Sequence, residues 1–322
     1  MDDVIVIGGG PAGLAAAFFA TGKGLKVVLI CDELGGKVGW LQSLVGPNHR
    51  EYLPGNDVVQ TIASRATKQA RQVIYDRATR LSQRDMTFEV TTTQHGALRA
   101  MAVIIAAGAD TSKLTVPGAD RFVDHGLDTS ATTHAHLVAG QHVAVIGSTV
   151  RALAGAAELA RTAARVYVVT AGLAGPATML ADAVRQRPNV EMIEGYTVIG
   201  INGDAAVTDV LIARDGETRR LPVQRAFACL GLLPNSDLVR GLAELDPQGF
   251  IVVDERYATT VPGLFAAGDV STRIGENVML AIGDGARAAA SAYQHILAHW
   301  LVLGDTPDQD RRPVSDLHPM PA

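Results

Sequence analysis

Apolar positions in this chain fall into two repeating arrangements, short unbroken β-branched runs and longer stretches with helical spacing. Val4-Ile5-Val6-Ile7 is the clearest of the first kind, and a run without alternation predicts a strand buried on both faces. It passes through Gly8-Gly9-Gly10-Pro11-Ala12-Gly13 into an alanine-rich helical stretch, Leu14 to Ala20. Leu25 to Ile30 reads as a second buried parallel strand, and Asp57 to Gln72 as a helix. Short strands at Val73–Tyr75, Thr87–Thr91 and Ala102–Ala106 complete a first sheet with an accessory hairpin. The pattern then starts again. Val143-Ala144-Val145-Ile146-Gly147 predicts a strand and turn, Arg151 to Ala164 a helix, and Val166 to Val169 a strand, a weak internal repeat. The last block carries apolar runs at Arg225–Gly231 and Val261–Val270 and a helical pattern from Asn277 to Leu303. Gly304 to Ala322 is rich in Pro, Asp and Arg without periodicity and reads as a mobile tail.

This alternation predicts an α/β fold of two Rossmann-like nucleotide-binding domains in three layers. Composition agrees, since 322 residues suffice for about two domains, and 33 Gly with 48% hydrophobic residues suit a glycine-punctuated enzyme. The charge balance, 28 basic against 33 acidic residues for a net −5, leaves no electrostatic footprint for nucleic acid. Cys31 and Cys229 are too few and too far apart for a disulfide framework or a cysteine metal site. The absence of a basic leader and of an 18-residue apolar run predicts a cytoplasmic protein with no membrane association.

The candidate chemistry lies in Gly8-x-Gly10-x-x-Gly13. Gly8 permits the tight turn, Gly10 admits a pyrophosphate close to the backbone, and Gly13 brings helix and strand together. Pro11 suits a first helical turn, and Ala12 follows it there. The motif alone is weak; a strand before it and a helix after it make it a dinucleotide site. A carboxylate at the end of the second strand takes the adenosine ribose in such folds, which points to Asp32. Cys31 beside it reads as a small buried residue. In the repeat, Gly147-Ser148-Thr149 places a branched side chain where the second glycine belongs, obstructing phosphate approach.

Gly8–Gly13, Ile104-Ile105-Ala106-Ala107-Gly108-Ala109, the second Val-Ile-Gly unit and Gly263-Leu264-Phe265-Ala266-Ala267-Gly268-Asp269-Val270 occur in an order that resembles the low-molecular-weight thioredoxin reductases. The resemblance covers residues 3 to about 300. It implies a FAD domain made of both chain ends (1–116 and 245–303), a degenerate NAD(P)H-type domain inserted between them (117–244), the tail (304–322), and a homodimer. It implies FAD contacts from Gly8, Gly10, Gly13, Ala106 and Gly108, a ribityl contact from Asp269, and contacts to the flavin's pyrimidine edge from Asn277 and Val278. Gly36 and Lys37 stand in the family's Gly-Gly-Gln turn, with Lys in place of Gln, and Tyr52 replaces an Asn close to the isoalloxazine. The loop between Gly36 and Pro54 is longer than the family's and brings in Trp40.

The departures decide more than the matches. The family's redox Cys-x-x-Cys corresponds to Ser130-Ala131-Thr132-Thr133, and hydroxyls cannot form a disulfide or relay electrons as thiolates do. The proton-donating Asp that follows corresponds to His134, the one candidate for proton transfer, with a solvated loop residue as the plainer alternative. The arginines that clamp the NADPH 2′-phosphate are replaced by Thr170-Ala171-Gly172-Leu173-Ala174-Gly175-Pro176, and a further one by Glu276. Together with Thr149, these losses argue against NADPH. The expectation is a FAD-dependent oxidoreductase of thioredoxin reductase type, without a redox disulfide, whose flavin exchanges electrons with an external partner such as ferredoxin, flavodoxin or a small redox substrate. The alternatives are a non-catalytic FAD-binding regulatory protein, and a ferredoxin-NADP reductase-like enzyme with a divergent nucleotide site.

Overall fold

A computed structural model describes residues 1–39, 43–45, 52–131, 134–172, 179–272 and 277–303. The elements that build the sites are, in chain order, β1 (Asp2–Ile7), α1 (Pro11–Gly22), β2 (Val27–Cys31), α2 (Gly55–Gln69), β3 (Gln72–Tyr75), β4 (Ala97–Ile105), β5 (His142–Ile146), α3 (Val150–Leu159), β6 (Arg165–Thr170), β7 (Val190–Glu194), β8 (Arg225–Ala228), β9 (Leu264–Ala266) and α4 (Val278–Leu303). They divide into two compact units, Met1–Asp110 with Pro234–Ala322 and Thr111–Leu233.

In the first unit the parallel order is β3-β2-β1-β4, with β9 also pairing with β4 and the antiparallel strands Thr87–Thr92 and Ala78–Arg84 extending the sheet. Val4, Ile5 and Val6 of β1 are fully buried because helices or loops cover both faces, and burying each such side chain contributes about 1.5–3 kcal/mol. α1 and α4 pack by small residues, Ala16, Ala17 and Ala20 sharing a core with Ala288, Ala289 and Ala292. A side chain at Gly285 would stand 1.9 Å from the Ala12 carbonyl oxygen, so only glycine lets α4 come this near.

The second unit repeats the arrangement. Its sheet runs Leu127–Asp128, β8, β5, β6, β7, all parallel. Ile7 pairs with Ile30 and Ile105 in the first sheet, as Ile146 pairs with Val169 and Ala228 in the second. Where the first sheet carries its hairpin, the second unit has a separate antiparallel sheet of Thr197–Gly203, Val207–Arg214 and Glu217–Pro222.

Several boundaries differ from the sequence expectation. The cuts lie at 110/111 and 233/234 instead of 116/117 and 244/245. Val239 and Ile251 complete the core around Ile5, Val28 and Val103, which ties the stretch after Pro234 to the first unit, whereas Leu114 and Val116 pack on the second unit's core. α3 stops at Leu159 and not at Ala164, and the Asn189 side chain there donates to the Ala160 and Ala163 carbonyls. The tail at 304–322 lies outside the described residues. Among them, no helix is long and apolar enough to cross a membrane.

Candidate cofactor site

The two glycine turns begin with the same backbone geometry and differ at the helix N-cap. Gly8 (φ +119°) and Gly147 (φ +139°) occupy a backbone region that side chains avoid. A Cβ there would lie 2.1 Å from the Ala106 carbonyl oxygen and 2.3 Å from that of Cys229, respectively. Gly13 acts in the same manner, since a Cβ on it would lie 1.8 Å from the Gly8 carbonyl oxygen. It shapes the turn from behind and does not line the cavity, so its part is close packing and not ligand contact.

The turns diverge two residues on. Gly10 is the N-cap of α1, no side chain caps that helix, and a Cβ on Gly10 would meet nothing within 4 Å. The first-turn amides therefore remain a place for an anion, favoured by the helix dipole. Thr149 is the N-cap of α3, and its hydroxyl oxygen accepts from the Ala152 amide at 3.2 Å while its O–H donates to the Cys229 carbonyl at 3.3 Å. The protein's own hydroxyl takes the place of the phosphate there.

Around the α1 terminus the first unit encloses a cavity of about 610 Å³, within the range of cofactor sites. Of the residues expected to bind cofactor, Gly8, Gly10, Pro11, Ala12, Asp32, Gly36, Lys37, Ala106, Gly108, Asp269, Asn277 and Val278 line it. The strand Tyr52–Pro54 is described but the Tyr52 side chain is not; Trp40 and Glu276 also lie outside the described residues. Asp32 follows β2 and forms an ion pair with Arg77, Oδ2 to Nη2 at 3.3 Å. Lys37 pairs with Asp269, Nζ to Oδ2 at 2.8 Å. Asn277 immediately precedes α4, and its side-chain oxygen accepts from the Met279 amide at 2.8 Å.

Sequence reasoning missed two wall segments. Asp76, Arg77 and Ala78 follow β3 as Asp32 follows β2, a parallel that a carboxylate after an apolar run would have signalled. Burial works against the Asp76 charge. Hydrogen bonds from the His95 ring, the Gln94 and Arg77 amides and the Thr92 hydroxyl overcome it and hold this carboxyl well below the usual carboxylate range. Asn235, from the last third of the chain, donates its amide to the Gly108 carbonyl at 3.0 Å and its side-chain N–H to the Ala107 carbonyl at 3.1 Å, fixing the small-residue wall after β4. Asp237 and Leu238 follow it in the lining, and nothing local in the sequence marks them. Cys31 also lines the cavity, but burial, with Asp32 and Glu33 adding, pushes its thiol up to about 11, so it is no nucleophile.

His134 lies in the second unit and is absent from this cavity. Its Nδ1 donates to the Ser130 carbonyl at 3.0 Å, its Nε2 stands 3.8 Å from Asp128 Oδ1, and its ring lies 6.5 Å from that of Phe227. Asp128 Oδ2 accepts in turn from Arg225 at 3.1 Å. Of the stretch matching the redox cysteines, 132–133 lie outside the described residues. Thr170 is buried at the end of β6 and donates to the Gly172 carbonyl at 2.6 Å; residues 173–178 beyond it are not described.

Fold and cavity together define an α/β dinucleotide-binding protein with one open and one self-capped glycine turn. The chain belongs to the pyridine nucleotide-disulphide oxidoreductase family, which it matches over residues 2–285. It is 32% identical over 299 residues to the thioredoxin reductase of Treponema pallidum, covering 91% of this chain and 97% of that one. It is also 32% identical over 307 residues to an alkyl hydroperoxide reductase polypeptide of Pseudomonas aeruginosa, covering 92% of this chain but only 58% of that relative. The crystal structure of thioredoxin reductase from Streptococcus pyogenes superposes with a TM-score of 0.79 at 27% identity, covering 92% of this chain and 99% of that one. These homologues are oxidoreductases, and the family binds FAD. The residues present fit that group, with open amides at Gly10 for the diphosphate and a cavity of sufficient size. The second turn does not fit a nucleotide phosphate in the same way.

Proposed function

We propose that this chain is a FAD-dependent oxidoreductase whose flavin exchanges electrons with an external partner and not with NADPH held in its second unit. The single observation that carries this reading is the Thr149 cap, which fills the α3 terminus where Gly10 leaves the α1 terminus open. FAD, when bound, supplies the electron-transfer chemistry. The chain's residues do the rest. Gly8, Gly9 and Gly10 admit the diphosphate to the α1 amides, Asp32 takes the adenosine ribose, and Asp269, Asn277 and Val278 line the flavin end.

The relatives are named for thioredoxin and alkyl hydroperoxide reduction. Here the only cysteines are Cys31 and Cys229, both buried and in different units, so no dithiol relay is available within the chain. The partner is accordingly a ferredoxin- or flavodoxin-type protein or a small redox substrate. A homodimer and a cytoplasmic location complete the reading, both carried by the resemblance alone. His134, donating to Ser130 and facing Asp128, is read as a packing residue and not a proton donor.

The test is an anaerobic visible spectrum of the holoprotein titrated separately with NADPH, NADH and reduced ferredoxin. Bleaching of the flavin band by ferredoxin alone is the expected result. Rapid bleaching by NADPH restores a nucleotide-dependent reductase and overturns the reading.

A further inference from the structure

The cavity of the first unit has two electrically distinct ends. Asp32 and Arg77 stand after β2 and β3, on the side where a carboxylate takes the adenosine ribose. The uncapped start of α1 lies next and suits the diphosphate. The remaining side, with Asp269 after β9 and Asn277 and Val278 at the start of α4, is then left to the flavin half. Lys37 comes from the adenosine side of the sheet but reaches this other end, because its turn crosses over the glycine turn. The Gly35 amide donates to the Gly9 carbonyl at 2.8 Å, and a Cβ on Gly36 would lie 3.1 Å from the Gly10 Cα. The ammonium ends 2.8 Å from Asp269 Oδ2, with the Asp269 side chain only 14% exposed.

The lining is acidic. Asp32, Glu33, Asp76, Asp110, Asp237 and Asp269 face only Lys37 and Arg77 among its described residues. Electrons placed on a flavin in such a site meet a field that opposes them. Arg77 is engaged by Asp32 at the adenosine end, so relief at the flavin end falls to Lys37.

Resting on the FAD reading above, we infer that Lys37 sets the reduction potential of the bound flavin, acting as a positioning and charge-compensating residue through Asp269. The oxidised cofactor gains two electrons and a proton on reduction and becomes more negative by one charge. A half-buried cation beside Asp269 favours that form over the oxidised one; without Lys37, Asp269 remains as an uncompensated, largely buried carboxylate that disfavours it.

The measurement is the potential of purified holoprotein, by equilibration with reference dyes during slow reduction by xanthine and xanthine oxidase, so that no biological donor enters. Lys37→Gln is expected to weaken the preference for reduced over oxidised FAD about tenfold, a shift of about 30 mV to more negative potential for a two-electron couple. Lys37→Arg stays near wild type, Asp269→Asn shifts the opposite way, and the double variant Lys37→Gln/Asp269→Asn returns towards wild type. A Lys37→Gln holoprotein with an unchanged potential overturns the inference. If that variant does not retain FAD, Asp269→Asn decides instead, an unshifted potential again overturning it. Failure of the functional reading is a different event, namely bleaching by NADPH, and leaves these potentials as they are.

Discussion

The backbone N–H of Ala152 donates to the Thr149 hydroxyl oxygen over 3.2 Å, and the same hydroxyl donates to the Cys229 carbonyl. Thr149 thereby caps α3 and ties it to the end of β8. Replacing it with Ala removes the cap and costs about 1 kcal/mol, whereas Gly costs only a few tenths. Urea unfolding resolves the difference. Neither variant is expected to gain NADPH affinity by calorimetric titration, because opening the turn supplies no phosphate-binding cation; strong binding to Thr149→Gly would show that the threonine alone had closed the site.

Gly8 and Gly10 separate folding from cofactor binding. Gly8→Ala drives a methyl into the Ala106 carbonyl and strains φ, so the apoprotein itself melts lower. Gly10 sits at φ −75° with open space around its missing Cβ, so Gly10→Ala meets no clash and costs the apoprotein less than about 1 kcal/mol, the difference between Gly and Ala at a helix N-cap. Its FAD content, read from the ratio of flavin to protein absorbance, nonetheless falls, because the methyl projects towards the diphosphate position.

Tyr257 adopts φ +61°, a conformation that side chains rarely hold, and its hydroxyl donates to Asp284 on α4. One residue further, Gly285 packs on Ala12. Tyr257→Phe leaves the buried strain while removing a bond to a charged group, with an expected loss of about 1.5–3 kcal/mol. Thermal unfolding checks it; a variant as stable as wild type would assign the strained turn to other contacts.

Asp76 gives the acid limb of stability a local source. Its folded pKa is depressed, so its contribution is present above the ordinary carboxylate value and is lost as pH falls through and below about 4. Asp76→Asn should be less stable than wild type at pH 7, and the gap between the two should begin to narrow as pH falls below about 4. Glu89, Glu191 and Asp209 are also held low and steepen the acid limb of both proteins, so the difference between the two isolates Asp76. A gap that persists unchanged at pH 2 would contradict the assignment.

The glycine turns were legible because backbone geometry imposes them: the Cβ clash at Gly8 and at Gly147 admits few residues but glycine, and the flanking β-branched runs announce the strands. The antiparallel sheet of the second unit was written in the sequence but less loudly. Asp215-Gly216, with φ of +48° and +84°, is a hairpin signal between Leu211-Ile212 and Leu221 that periodicity over longer windows blurs. The wall at Asp76–Ala78 had only a faint signal, a carboxylate after an apolar run, and the wall at Asn235–Leu238 had none, because strand order and the return of the chain after the inserted unit bring them to the cavity. The pairing of Lys37 with Asp269 joins residues far apart in sequence, and only the crossing of the Gly35–Gly36 turn over Gly9 and Gly10 brings them together.

The division of the first unit into two stretches also dictates a timetable during translation. Every strand of the second unit's parallel sheet lies between Leu127 and Ala228, so that sheet can close on the ribosome while the first still lacks β9 and α4. Gly8 and Gly10 emerge early, but Asn277 and Val278 follow only after roughly 15–50 s of further synthesis at ordinary elongation rates. Until then β4 lacks its β9 partner and α1 lacks the alanine face of α4, which leaves the nascent chain with an exposed sheet edge and apolar helix surface. Completion of the cofactor site in this topology thus waits for the start of α4, long after the glycine turn that begins it has been made.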